Sequence, residues 1–297
     1  MSAVKPLRMA IDALSRNPVL FLGGLVYAAL LVPQRALQLA GVPLAPTALQ
    51  MVTFLVTPFV VAGVVGMARD ALDGDTTLEA LTTTGRARYL DLLLASFLEF
   101  GIQLSFGVVF VVLGLLLAVA AGAGGPVALV GGAVILVVAC LYLAVLFAIQ
   151  FYPVIVVVED AGAVESVTES VSFVRGNILD TLGYTLVTLG LGLIASLPVA
   201  GFTAYRFLTS GGAPTGDTPA PIGGGMSDGG PGAGSPGLDA LMGGGMDIGL
   251  STPEVVALSL VSMATTALFF AFRHTYATAF YRRNGRSVEE RVLGDEP

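Results

Sequence analysis

Long apolar runs alternate along the chain with short polar segments. Residues 17–34, 36–68, 100–158, 181–205 and 255–272 contain no Asp, Glu, Lys or Arg. A run of about 18 apolar residues crosses a hydrocarbon core about 30 Å thick. The runs therefore predict six membrane-spanning helices, near 18–34, 47–68, 90–120, 127–158, 181–205 and 254–280. The 59-residue run from 100 to 158 must hold parts of two of them, because one such helix would overshoot the bilayer. Its break is expected at Gly122-Ala123-Gly124-Gly125-Pro126. Pro58, Pro153 and Pro198 lie inside spans two, four and five and are expected to kink them. Gly190, Gly192 and Gly201 in span five are expected to admit a close neighbour. The expected fold is an all-α integral membrane bundle, a single membrane domain over 1–297.

The basic residues set an orientation. With the N-terminus inside, Lys5, Arg8, Arg16, Arg69, Arg86, Arg88, Arg175, Arg282, Arg283, Arg286 and Arg291 are cytoplasmic. Only Arg35 and Arg206 fall outside, and Arg273 lies within span six. This bias puts both termini in the cytoplasm and the protein in the cell membrane. Span one lacks a small-residue cleavage site and reads as an anchor.

The connections differ by side. Thr76 has a capping-box partner in Glu79. Val164, Val167, Val171 and Val174 form an apolar stripe opposite Glu165, Glu169 and Ser172. That helix either lies in the membrane interface or packs over the inner mouth of the bundle. The external segment 209–250 holds fifteen glycines and five prolines and is expected to be a disordered tether. Met226, Met242 and Met246 within it could offer thioethers to a soft metal, but the tether reading is preferred.

Three segments share a pattern. Ile11-Asp12-Ala13-Leu14, Leu78-Glu79-Ala80-Leu81 and Val164-Glu165-Ser166-Val167 are each followed by an arginine and, four residues later, by a leucine. The pairs are Arg16/Leu20, Arg86/Leu90 and Arg175/Leu179. From acid to arginine the gap is four, seven or ten residues, close to whole helical turns. The expectation is three parallel repeats of an amphipathic helix plus a transmembrane hairpin, over 4–68, 76–159 and 164–282, with Arg16, Arg86 and Arg175 at the inner interface.

Composition supports a membrane protein. Apolar residues make up 55% and charged residues 12%, with a mean hydropathy of +0.86. About 25% charge would be ordinary for a soluble domain. A soluble enzyme, a disulfide scaffold and a nucleic-acid-binding protein are excluded. The single cysteine, Cys140, permits no internal disulfide and is expected to pack between helices. A net charge of −7 with one lysine among fourteen basic residues suggests a high-salt organism.

Ionisable groups inside a span are costly and are the first candidates for function. Glu99 lies ten residues beyond Tyr89, roughly 15 Å deep, and Gln103 one turn further. Gln150 is nine residues inside Glu159, and Arg273 is nine inside Arg282. Glu99, Gln103, Gln150, Arg273 and His274 are thus the candidate intramembrane polar layer, with Glu99 and Arg273 expected to pair. The pair is either a structural lock on helix register or part of a site for an anion, a headgroup or a proton.

The stretch Phe151-Tyr152-Pro153-Val154-Ile155-Val156-Val157-Val158-Glu159-Asp160, followed by Glu165-Ser166, Ser170 and Val174-Arg175-Gly176-Asn177, resembles a hallmark of certain six-span proteins. These are uncharacterised haloarchaeal membrane proteins similar to the membrane domain of glycerophosphoryl diester phosphodiesterases. The resemblance runs from the first span to the last and implies a helical membrane bundle with no established activity. The soluble catalytic barrel of those phosphodiesterases has no counterpart here, so their hydrolytic activity is not implied.

The chain offers no nucleophile–base–acid set, phosphate-binding glycine loop or metal-ligand spacing, so no cofactor and no metal are expected. The first expectation is a non-enzymatic scaffold or accessory subunit acting through the lipid bilayer and a membrane-protein partner, with no nucleic acid and no identified small-molecule substrate. The second is a transporter or permease component using the polar layer. A third, a lipid-modifying enzyme, would rely on Asp91, Glu159 and Asp160 at headgroup level.

Overall fold

The computed structural model describes residues 4–39, 45–121, 125–209 and 252–293; the expected glycine-rich tether lies outside them from residue 210 onward. The described residues form helices joined by short turns, with no strand among them. In chain order these are α1 (Val4–Arg16), α2 (Val19–Leu39), α3 (Ala45–Asp73), α4 (Leu78–Ala121), α5 (Gly125–Ile149), α6 (Tyr152–Val158), α7 (Ala163–Gly176), α8 (Ile178–Thr209) and α9 (Thr252–Leu293). Among the described residues five stretches are long and apolar enough to cross a membrane: Thr47–Asp73, Leu78–Val119, Leu129–Val158, Ile178–Pro198 and Val256–Gly285. The first expected span falls in α2, which together with α1 forms one further candidate, the two bent by 92°.

Two helix boundaries depart from expectation. The helix after the α3–α4 connection begins at Leu78, with the amide of Ala80 bonded to the carbonyl of Thr77 at 3.2 Å. Thr76 therefore stands one residue too early to cap it. Its amide is taken instead by Asn17 Oδ1 at 3.1 Å, and its hydroxyl is buried without a partner. No break separates that helix from the third span, because nothing between Arg86 and Leu90 interrupts the backbone ladder.

The fourth span is broken at Gln150 and Phe151. Pro153 has no amide to continue the ladder, and the chain restarts as α6. The exposed backbone groups are closed by Ser170 of α7. Its hydroxyl accepts from the Phe151 amide at 3.1 Å and donates to the Ala148 carbonyl at 2.9 Å. By contrast, Pro58 and Pro198 sit inside unbroken helices.

The buried core lies at the ends of the long helices that carry Arg69, Arg88 and Arg282. It is built on α3, where Val60, Val61, Ala62, Val64, Val65, Met67, Ala68 and Ala71 are all buried. Around α3 stand α2, α4, α6 and α9, with α1 against α3 and α9. A seam of rings joins the α5–α6 break, α7 and α8 to α9: Phe151 stacks on Phe280 at 5.5 Å, Phe173 meets Tyr281 at 4.8 Å and Tyr184 meets Tyr276 at 4.7 Å. Each such pair contributes about 0.5–1.5 kcal/mol beyond its area.

Two close helix crossings depend on glycine. A Cβ at Gly24 would lie 2.1 Å from the Ala267 carbonyl oxygen, and one at Gly63 would lie 2.4 Å from that of Leu81. Gly190 and Gly201, expected to serve this purpose, have nothing within 4 Å, and Gly192 meets only the ring of Phe269 at 3.1 Å. The reason is that α8 is peripheral, packing on α9 and lightly on α7.

Away from the core the hairpins stand apart. Among the described residues the α4–α5 and α8–α9 pairs make at most slight contact. Their surfaces carry exposed Leu115, Leu116, Leu136, Leu143, Leu193 and Leu197. Cys140 lies on this exposed surface of α5, not between helices as expected. Surfaces of this kind suit lipid tails, which solvate them as well as a protein interior does.

Candidate functional site

The expected polar layer is brought together only in part. Glu99, on the buried side of α4, is 8% exposed. One of its oxygens accepts from Gln103 Nε2 at 3.1 Å, and the other, Oε2, is buried with no partner. Beside the carboxyl lies the hydroxyl of Tyr152, which is 3.5 Å from Ser96 Oγ. The Ser96 hydroxyl donates to the Leu92 carbonyl at 2.8 Å, fixing it against its own helix.

Arg273 acts on Glu99 through space, but no ion pair joins them within 4.0 Å. The expected contact is missing because α4 and α9 are not packed neighbours; each packs on α3 and α6 instead. Arg273 is half-buried and faces Tyr184 of α8. Gln150 sits at the break in span four, where its amide donates to the Phe147 carbonyl at 3.0 Å and its oxygen accepts from Thr185 at 3.2 Å. That bond ties the α5–α6 break to α8.

His274 shares the depth but not the location. Its ring lies edge-on to Phe270 at 4.4 Å, and Phe270 stacks on Tyr27 of α2 at 3.9 Å. Consecutive residues on a helix point about 100° apart, so Arg273 and His274 serve different sides of α9. The His274 Nε2 atom is buried without a partner.

At the arginine-rich end of the core the polar groups tie helices together. Arg282 reaches Asp73 at 2.9 Å and the Arg69 carbonyl at 3.3 Å, while Arg69 donates to the Val157 carbonyl at 3.3 Å. Arg88 pairs with Asp160, a residue in the left-handed region at φ 58°. The Tyr281 hydroxyl donates to Glu159 and stands 3.3 Å from Glu169. Burial, and then the carboxylate of Glu159, pushes the Glu169 carboxyl up to about 7. Glu159 and Asp160, two of the acids a lipid enzyme would need, are thus engaged in holding the fold.

The three repeat arginines differ from those ties. Arg16, Arg86 and Arg175 are exposed and form no ion pair with a carboxylate among the described residues. Arg16 donates to the carbonyl of Asp12 at 3.3 Å. Arg86 borders a depression of about 400 Å³ with Thr82, Thr83 and Ala87. Both of those threonine hydroxyls turn back to the Glu79 carbonyl. Leu90 and Leu179, four residues beyond their arginines, are 68% and 80% exposed, whereas Leu20 is wholly buried in the core.

The valine stripe of α7 is split by packing. Val174 is buried, while Val164 and Val171 are exposed, and the buried face is Ser166, Ser170, Phe173 and Val174. The helix packs against α4, α5 and α6.

Several residues that organise the site gave little sign in the sequence. Tyr152, Tyr184 and Thr185 look like ordinary residues of a span. Asn17 had a visible signal, a polar residue beside a proline at the start of an apolar run. Its Nδ2 donates to the carbonyls of Ala13 and Gly74 at 3.2 and 3.0 Å, in addition to the Thr76 contact. Among the described residues no group of three or more His, Cys, Asp or Glu could hold a metal ion.

No curated protein and no solved structure matches the chain. The model of a domain of unknown function matches residues 1–284, and the chain belongs to that family, DUF7847.

Proposed function

We propose that this protein is a non-enzymatic membrane scaffold of the cell membrane, with six spans and both termini in the cytoplasm. The observation that carries the reading is the division of the molecule. A cytoplasmic-side core is tied across α1, α3, α6, α7 and α9, while the two outer hairpins stand apart with apolar surfaces. A transmembrane helix of a partner protein fits between them without disturbing the core.

The six spans fall into three units, each an amphipathic helix and a hairpin, as the sequence pattern suggests. Support comes from Asn17 and Asn177. Each closes the helix before it by donating to the carbonyl four residues back, Ala13 at 3.2 Å and Phe173 at 3.1 Å. Each also starts the helix after it through its own carbonyl, taken by Leu20 and Thr181. The middle unit has Ala87 after its arginine, and there the helix runs on. The likeness to uncharacterised haloarchaeal six-span proteins is part of the same proposal, and it brings no activity with it.

The scaffold reading is tested by photo-crosslinking in native membranes from Leu116 on α4, Leu136 on α5 and Leu193 on α8, one position at a time. Expected is a protein adduct of one discrete mass from positions on both hairpins. Adducts to lipid alone at all three positions would contradict it.

A second reading, a permease component, is favoured by one observation: Glu99 Oε2 and His274 Nε2 are buried in the spans with no partner. Unsatisfied polar groups are costly in lipid and are retained where something binds to them.

A further inference from the structure

Glu99 and Arg273, a carboxylic acid and a guanidinium counted to one depth along their helices, do not combine. An acid and a base this deep in lipid gain strongly from contact, because the surrounding dielectric is low. Here each is engaged elsewhere. Glu99 is fixed by Gln103 on α4, and Arg273 faces Tyr184 at the α8–α9 side. Their separation exceeds 4.0 Å, while each remains within electrostatic reach of the other. Glu99 Oε2 has no donor, and the guanidinium has no carboxylate within 4.0 Å among the described residues. Further hydroxyls, of Tyr152 beside Glu99 and Tyr184 beside Arg273, stand in the same region.

The geometry points to a zwitterion-binding site between α4 and α9, in which Glu99 takes an ammonium group and Arg273 takes a carboxylate or phosphate joined to it by a short linker. A ligand with only one charge would satisfy one side and leave the other unpaired, which in a buried site costs more than it gains. A guanidinium is suited to the anionic end because it offers several fixed donors. Entry from the lipid is open where the α4–α5 and α8–α9 hairpins stand apart, since Gln103, Gln150 and Arg273 are only half-buried. Two sources share this chemistry: a free amino-acid-like zwitterion and the headgroup of a zwitterionic lipid. The inference names a ligand class for the layer on which the permease reading rests, but binding does not require transport.

The test uses the purified full-length chain. In one arm, equilibrium dialysis in detergent measures binding of radiolabelled glycine and of O-phosphoethanolamine. In the other, native mass spectrometry measures phosphatidylethanolamine retained from nanodiscs that contain it. Saturable binding is expected in at least one arm, and which arm responds identifies the source. Glu99→Gln and Arg273→Gln should each weaken it by about tenfold or more, as expected for the loss of one charged hydrogen-bonded partner. Gly201→Ala, on α8 with nothing within 4 Å, should leave it unchanged.

If neither charge variant folds, competition on the wild-type chain decides the matter. Ethylamine or acetate alone should not displace a bound zwitterion, whereas an unlabelled zwitterion should. No saturable binding in either arm, binding indifferent to both charge variants, or full displacement by a single-charge competitor would overturn the site. Binding without flux in proteoliposomes would uphold the site and remove the permease reading alone.

Discussion

Gly24→Ala is expected to destabilise the protein by about 3 kcal/mol or more, because overpacking here meets backbone rather than a yielding side chain. The added methyl carbon would stand 2.1 Å from the Ala267 carbonyl oxygen and 3.0 Å from its carbon. To make room, α2 and α9 must separate, and that crossing also holds the Tyr27–Phe270 stack. Gly63→Ala should behave similarly, since the Leu81 carbonyl lies 2.4 Å away. Gly190→Ala and Gly201→Ala are the controls. With nothing within 4 Å they should be neutral or stabilising by roughly 0.5–1 kcal/mol through helix propensity. Thermal unfolding in detergent, followed by the yield of monodisperse protein, measures all four. Equal effects at Gly24 and Gly190 would contradict the packing described for α2 and α9.

Ser170→Ala is expected to cost about 2–4 kcal/mol. The hydroxyl is wholly buried and serves two backbone groups at the break in span four. Its loss leaves the Phe151 amide and the Ala148 carbonyl with no replacement partner from Ser170, each at a penalty of about 1–3 kcal/mol. The cause of the break supplies a second check. Pro153→Ala restores the missing amide and lets α5 continue toward α6, so Ser170 would have less to satisfy. The cost of Ser170→Ala should therefore shrink in a Pro153→Ala background. Additive costs in the double variant would show that the serine does not act on the break.

Much of the fold is legible in residue order because the solvent imposes it. Charge-free runs longer than a bilayer leave few choices, and all five helices that are long and apolar enough to cross a membrane overlap the expected spans. What is not legible is which faces meet. Periodicity gives a helix an apolar side, but in a span every side is apolar, so Gly190 and Gly24 look alike until α2 is seen against α9. The α7 stripe misleads for a related reason. Its buried face includes Ser166 and Ser170, whose hydroxyls bond to the backbone, so two polar residues turn inward and Val164 and Val171 remain outside.

The candidate site shows the same division. Depth can be counted along a sequence, and it is what groups Glu99, Gln103, Gln150, Arg273 and His274 as the expected polar layer. Azimuth cannot be counted without a known neighbour. Thus His274 turns toward Phe270 and the α2 side, Arg273 stands apart from Glu99, and Tyr152 and Tyr184 join the group unannounced.

The whole account requires a chain threaded through lipid with its arginine-rich connections on one side. Sided thiol labelling of single cysteines in a Cys140→Ser background tests this directly, using sealed vesicles of both orientations. Thr83→Cys and Ser172→Cys should react only from the cytoplasmic side, and Ser227→Cys in the glycine-rich segment only from the opposite side. Labelling of Ser227→Cys from the cytoplasm, or of all three from the same side, would contradict it.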